Sequence, residues 1–156
     1  MAMKWEVTRG DQLSAQEIYK ILELRSAVFV VEQNCPYQEL DGRDLGSEIY
    51  HVQGFVDDDK DVGAVTRIMY DADAETVQIG RVVVNPKYRG LKLGRQLMQV
   101  TLDNIESLQP TYHRKQAMLH GQSHLKRFYE SFGFVQVGEE FFEDDIPHLE
   151  MIKNLK

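Results

Sequence analysis

Four cations crowd one short stretch of an otherwise acidic chain. Lys87, Arg89, Lys92 and Arg95 fall within Asn85-Pro86-Lys87-Tyr88-Arg89-Gly90-Leu91-Lys92-Leu93-Gly94-Arg95, whereas the 156-residue chain carries a net charge of -7. The β-branched run Val82-Val83-Val84 precedes them, and an apolar stripe at helical spacing, Leu97, Met98, Leu102 and Ile105, follows. A strand, a proline break, a glycine-containing loop and a helix start together make an anion site. The first turn of a helix leaves backbone N–H groups without partners and carries the positive end of the macrodipole. The expected ligand is a small polyanion. A nucleotide-binding P-loop is a different arrangement, because Gly90 and Gly94 are four apart and Arg95 follows where Lys-Ser/Thr is required.

The flanking elements follow from hydrophobic period and punctuation. Ser14 and Glu17 have capping-box spacing, and Ile18, Ile21, Leu22, Val28 and Phe29 share one face, which predicts a first helix from Ser14 to Val30. Pro36, Asp41-Gly42 and Gly46 interrupt periodicity, so Asn34 to Ser47 is expected to be a long ordered loop or short helical turn, of the kind that lines sites. Ile49 to Val56, Val62 to Met69 and Val77 to Val84 read as an antiparallel meander with polar turns at Asp57-Asp58-Asp59 and Asp71 to Glu75. The helix after the anion loop is expected to stop at Pro110. Gln116 to His120 reads as a strand, and Leu125, Phe128, Tyr129 and Phe132 as a short helical stripe closed by Gly133. Phe134 to Val137 and Leu149 to Ile152 read as the last strands, separated by an acidic loop from Glu139 to Asp145 with Pro147 after it. The order, strand, helix, three strands, helix, strand, helix, two strands, predicts a single α+β domain over residues 1–156.

Composition narrows the class. An apolar fraction of 42% and a charged fraction of 28% are those of a globular protein, and no run approaches the ~18 apolar residues of a membrane span. The first residues lack the apolar core of a secretory signal, which with a single cysteine, Cys35, predicts a cytoplasmic protein. Acidic net charge argues against nucleic-acid binding, which depends on a basic face. Cys35 reads as a structural or surface thiol, since no activating neighbour is identified. His113, His120, His124 and His148 show no metal-ligand spacing, so no metal is expected. A homodimer is the default assembly.

Arg89 to Gly94 resembles the Q/R-x-x-G-x-G/A signature of the GNAT acyl-CoA-dependent N-acyltransferases, and Phe128-Tyr129-Glu130-Ser131-Phe132-Gly133-Phe134 resembles their second recurrent element. Leu24 to Tyr37 with Asp41-Gly42, Gln122-Ser123-His124-Leu125 and Asp144-Asp145-Ile146-Pro147-His148 are similar to the ElaA-like branch. The resemblance covers nearly the whole chain. It implies a mixed, mostly antiparallel central sheet with helices on both faces, and transfer of an acetyl or other acyl group from acetyl-CoA to a primary amine of a small molecule or peptide. It also implies that Val82, Val83 and Val84 offer strand-edge backbone groups to the pantetheine arm, that amides from Gly90 through Leu91, Lys92, Leu93 and Gly94 to Arg95 meet the pyrophosphate with Arg89 beside them, and that Tyr129 is the general acid. One residue departs from the signature. Lys92 stands where the second glycine is expected; placed in the first helical turn, its N–H would still donate to phosphate and its ammonium would add a contact.

Acyl transfer from a thioester needs a neutral amine, a polarised carbonyl and a protonated leaving thiol. Neutralising a lysine-like amine of pKa ~10.4 at pH 7 costs about 4 to 5 kcal/mol, so a base is required. His51 and Glu32 are the candidates, with a hydrogen-bonded structural histidine and a loop anchor as their respective alternatives. Proton donation from a phenol of pKa ~10 to a thiolate of ~8.5 is uphill by only about 2 kcal/mol, which suits Tyr129; its alternative is core packing on the stripe with Phe128 and Phe132. A backbone N–H would polarise the carbonyl. Arg25 lies on the apolar stripe of the first helix and needs either an internal partner, Asp41 or Glu39, or a contact with substrate; Arg67 is equally open. The acidic runs at Asp57 to Asp59 and Glu139 to Asp145 either attract cationic amines or are solvated surface. The competing function is a catalytically silent acyl-CoA sensor.

Overall fold

A computed structural model describes residues 2–57 and 61–156, so Asp58 and Asp59 of the predicted acidic turn lie outside the described residues. Strands β1 (Met3–Arg9), β2 (Ile49–Val56), β3 (Val62–Met69) and β4 (Thr76–Val84) form an antiparallel meander. β5 (Gln116–Gln122) joins β4 in parallel, and β6 (Val135–Glu143) and β7 (Ile146–Asn154) complete a seven-stranded sheet in the order β1-β2-β3-β4-β5-β7-β6.

β3 is buried along its whole length because both faces of the sheet are covered there. Successive strand side chains point to opposite faces. Ala64 and Ile68 thus pack with Leu97, Met98 and Ile105 of helix α2 (Leu93–Tyr112), while Val65 and Val83 pack with Ile21, Leu24 and Val28 of the first helical segment. Helices therefore lie on both faces, as the resemblance implied.

The first helical segment begins as α1 (Ala15–Arg25), with both bonds of the Ser14–Glu17 capping box present. It runs past the predicted end at Val30 to Glu32, and its last part, Ser26–Glu32, is π-helical. The wider turn shows in two i to i+5 bonds, Gln33 N–H to the Val28 carbonyl at 3.0 Å and Cys35 N–H to the Val30 carbonyl at 3.1 Å.

Two expectations need correction. α2 does not stop at Pro110 but continues to Tyr112. A proline this close to the end deprives one carbonyl of a partner, and the Gln109 side chain ties the terminus by bonding both N–H and carbonyl of Arg114. Nor is Glu139 to Asp145 a loop: Glu139 to Glu143 extend β6, and only Asp144 and Asp145 turn the chain, both at positive φ (49° and 63°). That is the geometry of a two-residue primed hairpin turn, for which Asp is among the suitable residues.

One irregularity shapes the functional end. The register of β3 with β4 shifts between Val65 and Arg67, and Arg81 opposite it has φ 52°. Such a bulge bends its strand. β4 and β5 pair only from Thr76 and Gln116 to Ile79 and Leu119, and beyond these residues no pairing of the two continues. Short α3 (Lys126–Glu130) follows β5 with Ser131 at its C-cap, and the chain turns off over Gly133 at φ 93°, where the Phe134 N–H bonds the Tyr129 carbonyl at 3.3 Å.

Candidate active site

A cavity of about 770 Å³ fills the region where β4 and β5 part. Val82, Val83 and Val84 line it from β4, Leu125, Phe128 and Tyr129 from the α3 region, and Val28, Phe29 and Glu32 from the π-helical turn. At its α2 end the first intrahelical bond is Gln96 N–H to the Lys92 carbonyl, so the amides of Leu93, Gly94 and Arg95 precede it and need other acceptors. No side chain caps this terminus. Gly94 borders the cavity, and a β-carbon there would sit 3.8 Å from both Val84 and Phe128. These features fit a polyanionic diphosphate with an apolar arm behind it.

Lys92 is placed differently from the sequence expectation. It is the N-cap of α2 at φ 60°, ψ 26°, not a residue of the first turn. A β-carbon in this left-handed region costs roughly 1–2 kcal/mol, which glycine at this signature position would avoid. Among the described residues Lys92 makes no ion pair, unlike Lys87 and Arg89. Arg89 holds both carboxylate oxygens of Glu32 (2.7 and 2.9 Å), Lys87 meets Asp61 at 3.2 Å, and Arg95 bonds Ser131 Oγ at 2.9 Å while lying over the Phe132 ring. The cations predicted to act together are thus divided. Leu91 is exposed, and neither Leu91 nor Arg95 lines the cavity.

Tyr129 lines the cavity and is 4% exposed. Its ring lies against β5 because residue 121 is glycine: a β-carbon there would approach Tyr129 to 2.7 Å. Among the described residues no partner bonds its hydroxyl. Burial pushes the phenol up to about 12, which keeps the proton on oxygen at neutral pH.

The opposite wall is governed by residues 33–48. Arg25, 1% exposed, bonds Glu39 through Nε and Nη2 and Asp44 through Nη1 at 2.7 Å. Of the two partners expected for it, Glu39 is found and Asp41 is not. Asp41 instead pairs with Arg67 at 2.7 Å, Arg67 also reaches Asp44 at 3.0 Å, and Arg81 meets Glu39 at 2.7 Å. Buried ions survive only when paired, and here each carboxylate has two guanidinium partners. Burial alone would raise Asp41 and Asp44, but hydrogen bonds and charge from the arginines hold both well below the usual carboxylate range. The network also fastens Arg81, the residue at the β4 bulge, to the loop.

His51 belongs to the floor of this network. It is 1% exposed, its Nε2 lies 2.8 Å from the Asp44 carbonyl oxygen, and it is not among the cavity-lining residues. Burial lowers its proton affinity, against the opposing pull of the Asp44 carbonyl bond. Glu32 does line the cavity, with its carboxylate engaged by Arg89.

A third group, His120, Glu143 and His148, lines the cavity from β5, β6 and β7; sequence reading assigned no role to the two histidines and took Glu143 only as part of an acidic run that attracts cationic amines or is solvated. His120 Nδ1 lies 2.8 Å from Glu143, and both imidazoles pack on Phe141. The period-two placement of His120 and Gln122 between apolar Leu119 and Gly121 was the available signal, but the partners are 23 to 28 positions away in sequence. Cys35 also borders the cavity and donates to the Asp144 carbonyl at 3.2 Å. Among the described residues no group of three or more His, Cys, Asp or Glu is arranged to hold a metal ion, and no helix is long and apolar enough to cross a membrane.

The acetyltransferase (GNAT) domain model matches residues 11–155. Protein ElaA of Escherichia coli strain K12 is 44% identical over 154 residues, which cover 98% of this chain and 97% of ElaA. The crystal structure of Escherichia coli ElaA matches with a TM-score of 0.88 at 42% identity, covering 97% of this chain and 99% of that one. An acyl-CoA N-acyltransferase from Pseudomonas aeruginosa matches equally well, with a TM-score of 0.88, 37% identity and coverage of 97% and 99%. An aminoglycoside 6'-N-acetyltransferase complexed with coenzyme A shares the fold alone, with a TM-score of 0.68, 15% identity and 96% coverage of each chain. Nothing in these matches supports a catalytically silent sensor. Cleft, helix terminus and family agree, and the chain belongs to the GNAT family as an acyltransferase that draws on acyl-CoA.

Proposed function

We propose that this protein transfers an acetyl group from acetyl-CoA directly to a primary amine of a small molecule or peptide, in the cleft between β4 and β5. The observation that carries the reading is Tyr129, a buried phenol without a hydrogen-bond partner among the described residues, in the cavity that the α2 terminus borders. The amides of Leu93, Gly94 and Arg95 would hold the pyrophosphate, with Gly90, Leu91 and Lys92 shaping the loop before them. Backbone groups of Val82, Val83 and Val84, released from pairing with β5, would bind the pantetheine amides, and one N–H of this edge would polarise the thioester carbonyl.

Tyr129 delivers a proton to sulfur as the C–S bond breaks. With the phenol at about 12, full transfer to a thiolate of pKa ~8.5 is uphill by roughly 5 kcal/mol, more than the sequence implied. Burial raises the thiol in the same direction, so the gap narrows inside the cavity. Glu32 anchors the phosphate loop through Arg89, and His51 supports the loop 33–48 from below.

Tyr129→Phe is the test. It should lower kcat by about 10²–10⁴ while CoA affinity changes less than threefold. Measured by thiol release and calorimetric CoA binding, unchanged turnover would remove Tyr129 from the mechanism.

A further inference from the structure

At the end of the cavity formed by β5, β6 and β7, two imidazoles face two carboxylates. His148 Nδ1 lies 2.7 Å from the Ile146 carbonyl oxygen, which only accepts, so Nδ1 carries the proton. A neutral His148 then presents a bare Nε2 at 3.8 Å from Glu143 Oε2. His120 faces a carboxylate at each nitrogen, Glu143 at 2.8 Å from Nδ1 and Glu150 at 3.4 Å from Nε2, but a neutral ring has one N–H for the two. Among the described residues neither carboxylate is ion-paired to Lys or Arg, in contrast to the arginine-saturated acids under the loop 33–48. The other titratable groups beside the cluster, Asp144 and Asp145 of the β6–β7 turn and the Cys35 thiol bonded to the Asp144 carbonyl, supply no cation.

We propose that His120, with Glu143 and His148, is the proton acceptor for the incoming amine, and hence that the acceptor is an amine cationic at neutral pH. This rests on the acyltransfer reading above. The ammonium loses one proton to His120, whose imidazolium then donates to both Glu143 and Glu150. The neutral nitrogen forms the C–N bond as the C–S bond breaks. Tyr129 gives its proton to sulfur and regains one from the nitrogen, and His120, with a 37% exposed side chain, returns its proton to water. An alkylammonium and an acetyl thioester thus become an amide, a thiol and one released proton. His120, Glu143 and His148 share the cavity with Tyr129, whereas Glu150 does not line it and serves to hold the imidazolium.

The test compares two probes with acetyl-CoA at saturation: 1,4-diaminobutane, protonated at pH 7, and hydroxylamine, neutral there. His120→Gln and Glu143→Gln should each lower transfer to the diamine about 100-fold and to hydroxylamine less than threefold, with CoA binding unchanged. Equal losses with both probes, or none, overturn the assignment of the cluster. Wild-type protein that binds acetyl-CoA but acetylates neither probe overturns the acyltransfer reading, and this assignment with it.

Discussion

At the α2 end of the cleft the groups proposed to bind CoA are backbone amides and strand-edge peptides, whereas at the end formed by residues 33–48 and the β6–β7 hairpin most of the polar groups described above are side chains paired with other side chains. The α2 end needs only a helix start and a bent strand, both built from residues close in sequence. The other end joins Arg25 to Asp44, Arg67 to Asp41 and His120 to Glu143, pairs separated by 19, 26 and 23 positions. Backbone sites tolerate side-chain change and suit the proposed cofactor; side-chain sites change with sequence and are suited to choosing the acceptor. The two ends meet at Arg81, whose backbone makes the β4 bulge and whose guanidinium is fastened to Glu39.

The sharpest way to break this contrast is to attack the side-chain end. Arg25→Met should destabilise the fold by about 3 kcal/mol or more in urea unfolding, because Glu39 and Asp44 lose a buried cation. The same network sets an acid limit. Asp41 and Asp44 titrate lower in the folded than in the unfolded chain, so their contribution is complete above the unfolded carboxylate value of about 3.9 and is lost as pH falls through their lower folded values. A wild-type stability curve that stayed flat from pH 5 to pH 2 would contradict the pairing.

At the backbone end the expected effects are smaller and fall on binding. Gly94→Ala adds a methyl at ordinary contact distance from Val84 and Phe128, so the fold should keep its stability within about 1 kcal/mol. That methyl borders the cavity beside the free amides, and CoA affinity should drop about tenfold, or 1.4 kcal/mol, by calorimetry. Unchanged affinity would move the pyrophosphate away from this terminus. The smallest effect is expected from Lys92→Gly: relief of the left-handed conformation, offset by glycine's greater freedom in the unfolded chain, should leave a stabilisation of up to about 1 kcal/mol. If CoA affinity and its salt dependence stay the same in that variant, the ammonium makes no phosphate contact.

Legibility in the sequence followed the same division. The capping box at Ser14, the meander strands, the positive φ of Gly133 and the strand, loop and helix succession around Arg89 to Gly94 all rest on neighbours within a few residues, and all are found. Pro110 misled because the cost of an interior proline depends on how close the helix end lies, and Gln109 and Arg114 set that end. Glu139 to Glu143 misled because acidic composition outweighed strand pattern, although Phe141, Phe142 and Glu143 pair with His148, Pro147 and Ile146 of β7. Arg25 was correctly marked as needing a partner, and Glu39 as one of them.

Local chemistry in the chain was enough to specify the order of elements, the positive helix terminus and, through Arg89 to Gly94 and Phe128 to Phe134, the family. These are short-range properties, expressed by backbone dihedrals and hydrogen bonds within a turn. Folding alone set the left-handed cap at Lys92, the parting of β4 from β5, the burial of His51 beneath the arginine network and the meeting of His120, Glu143 and His148. Each of these depends on strand register or on charges brought out of water together, and such energies exist only once distant segments are packed side by side.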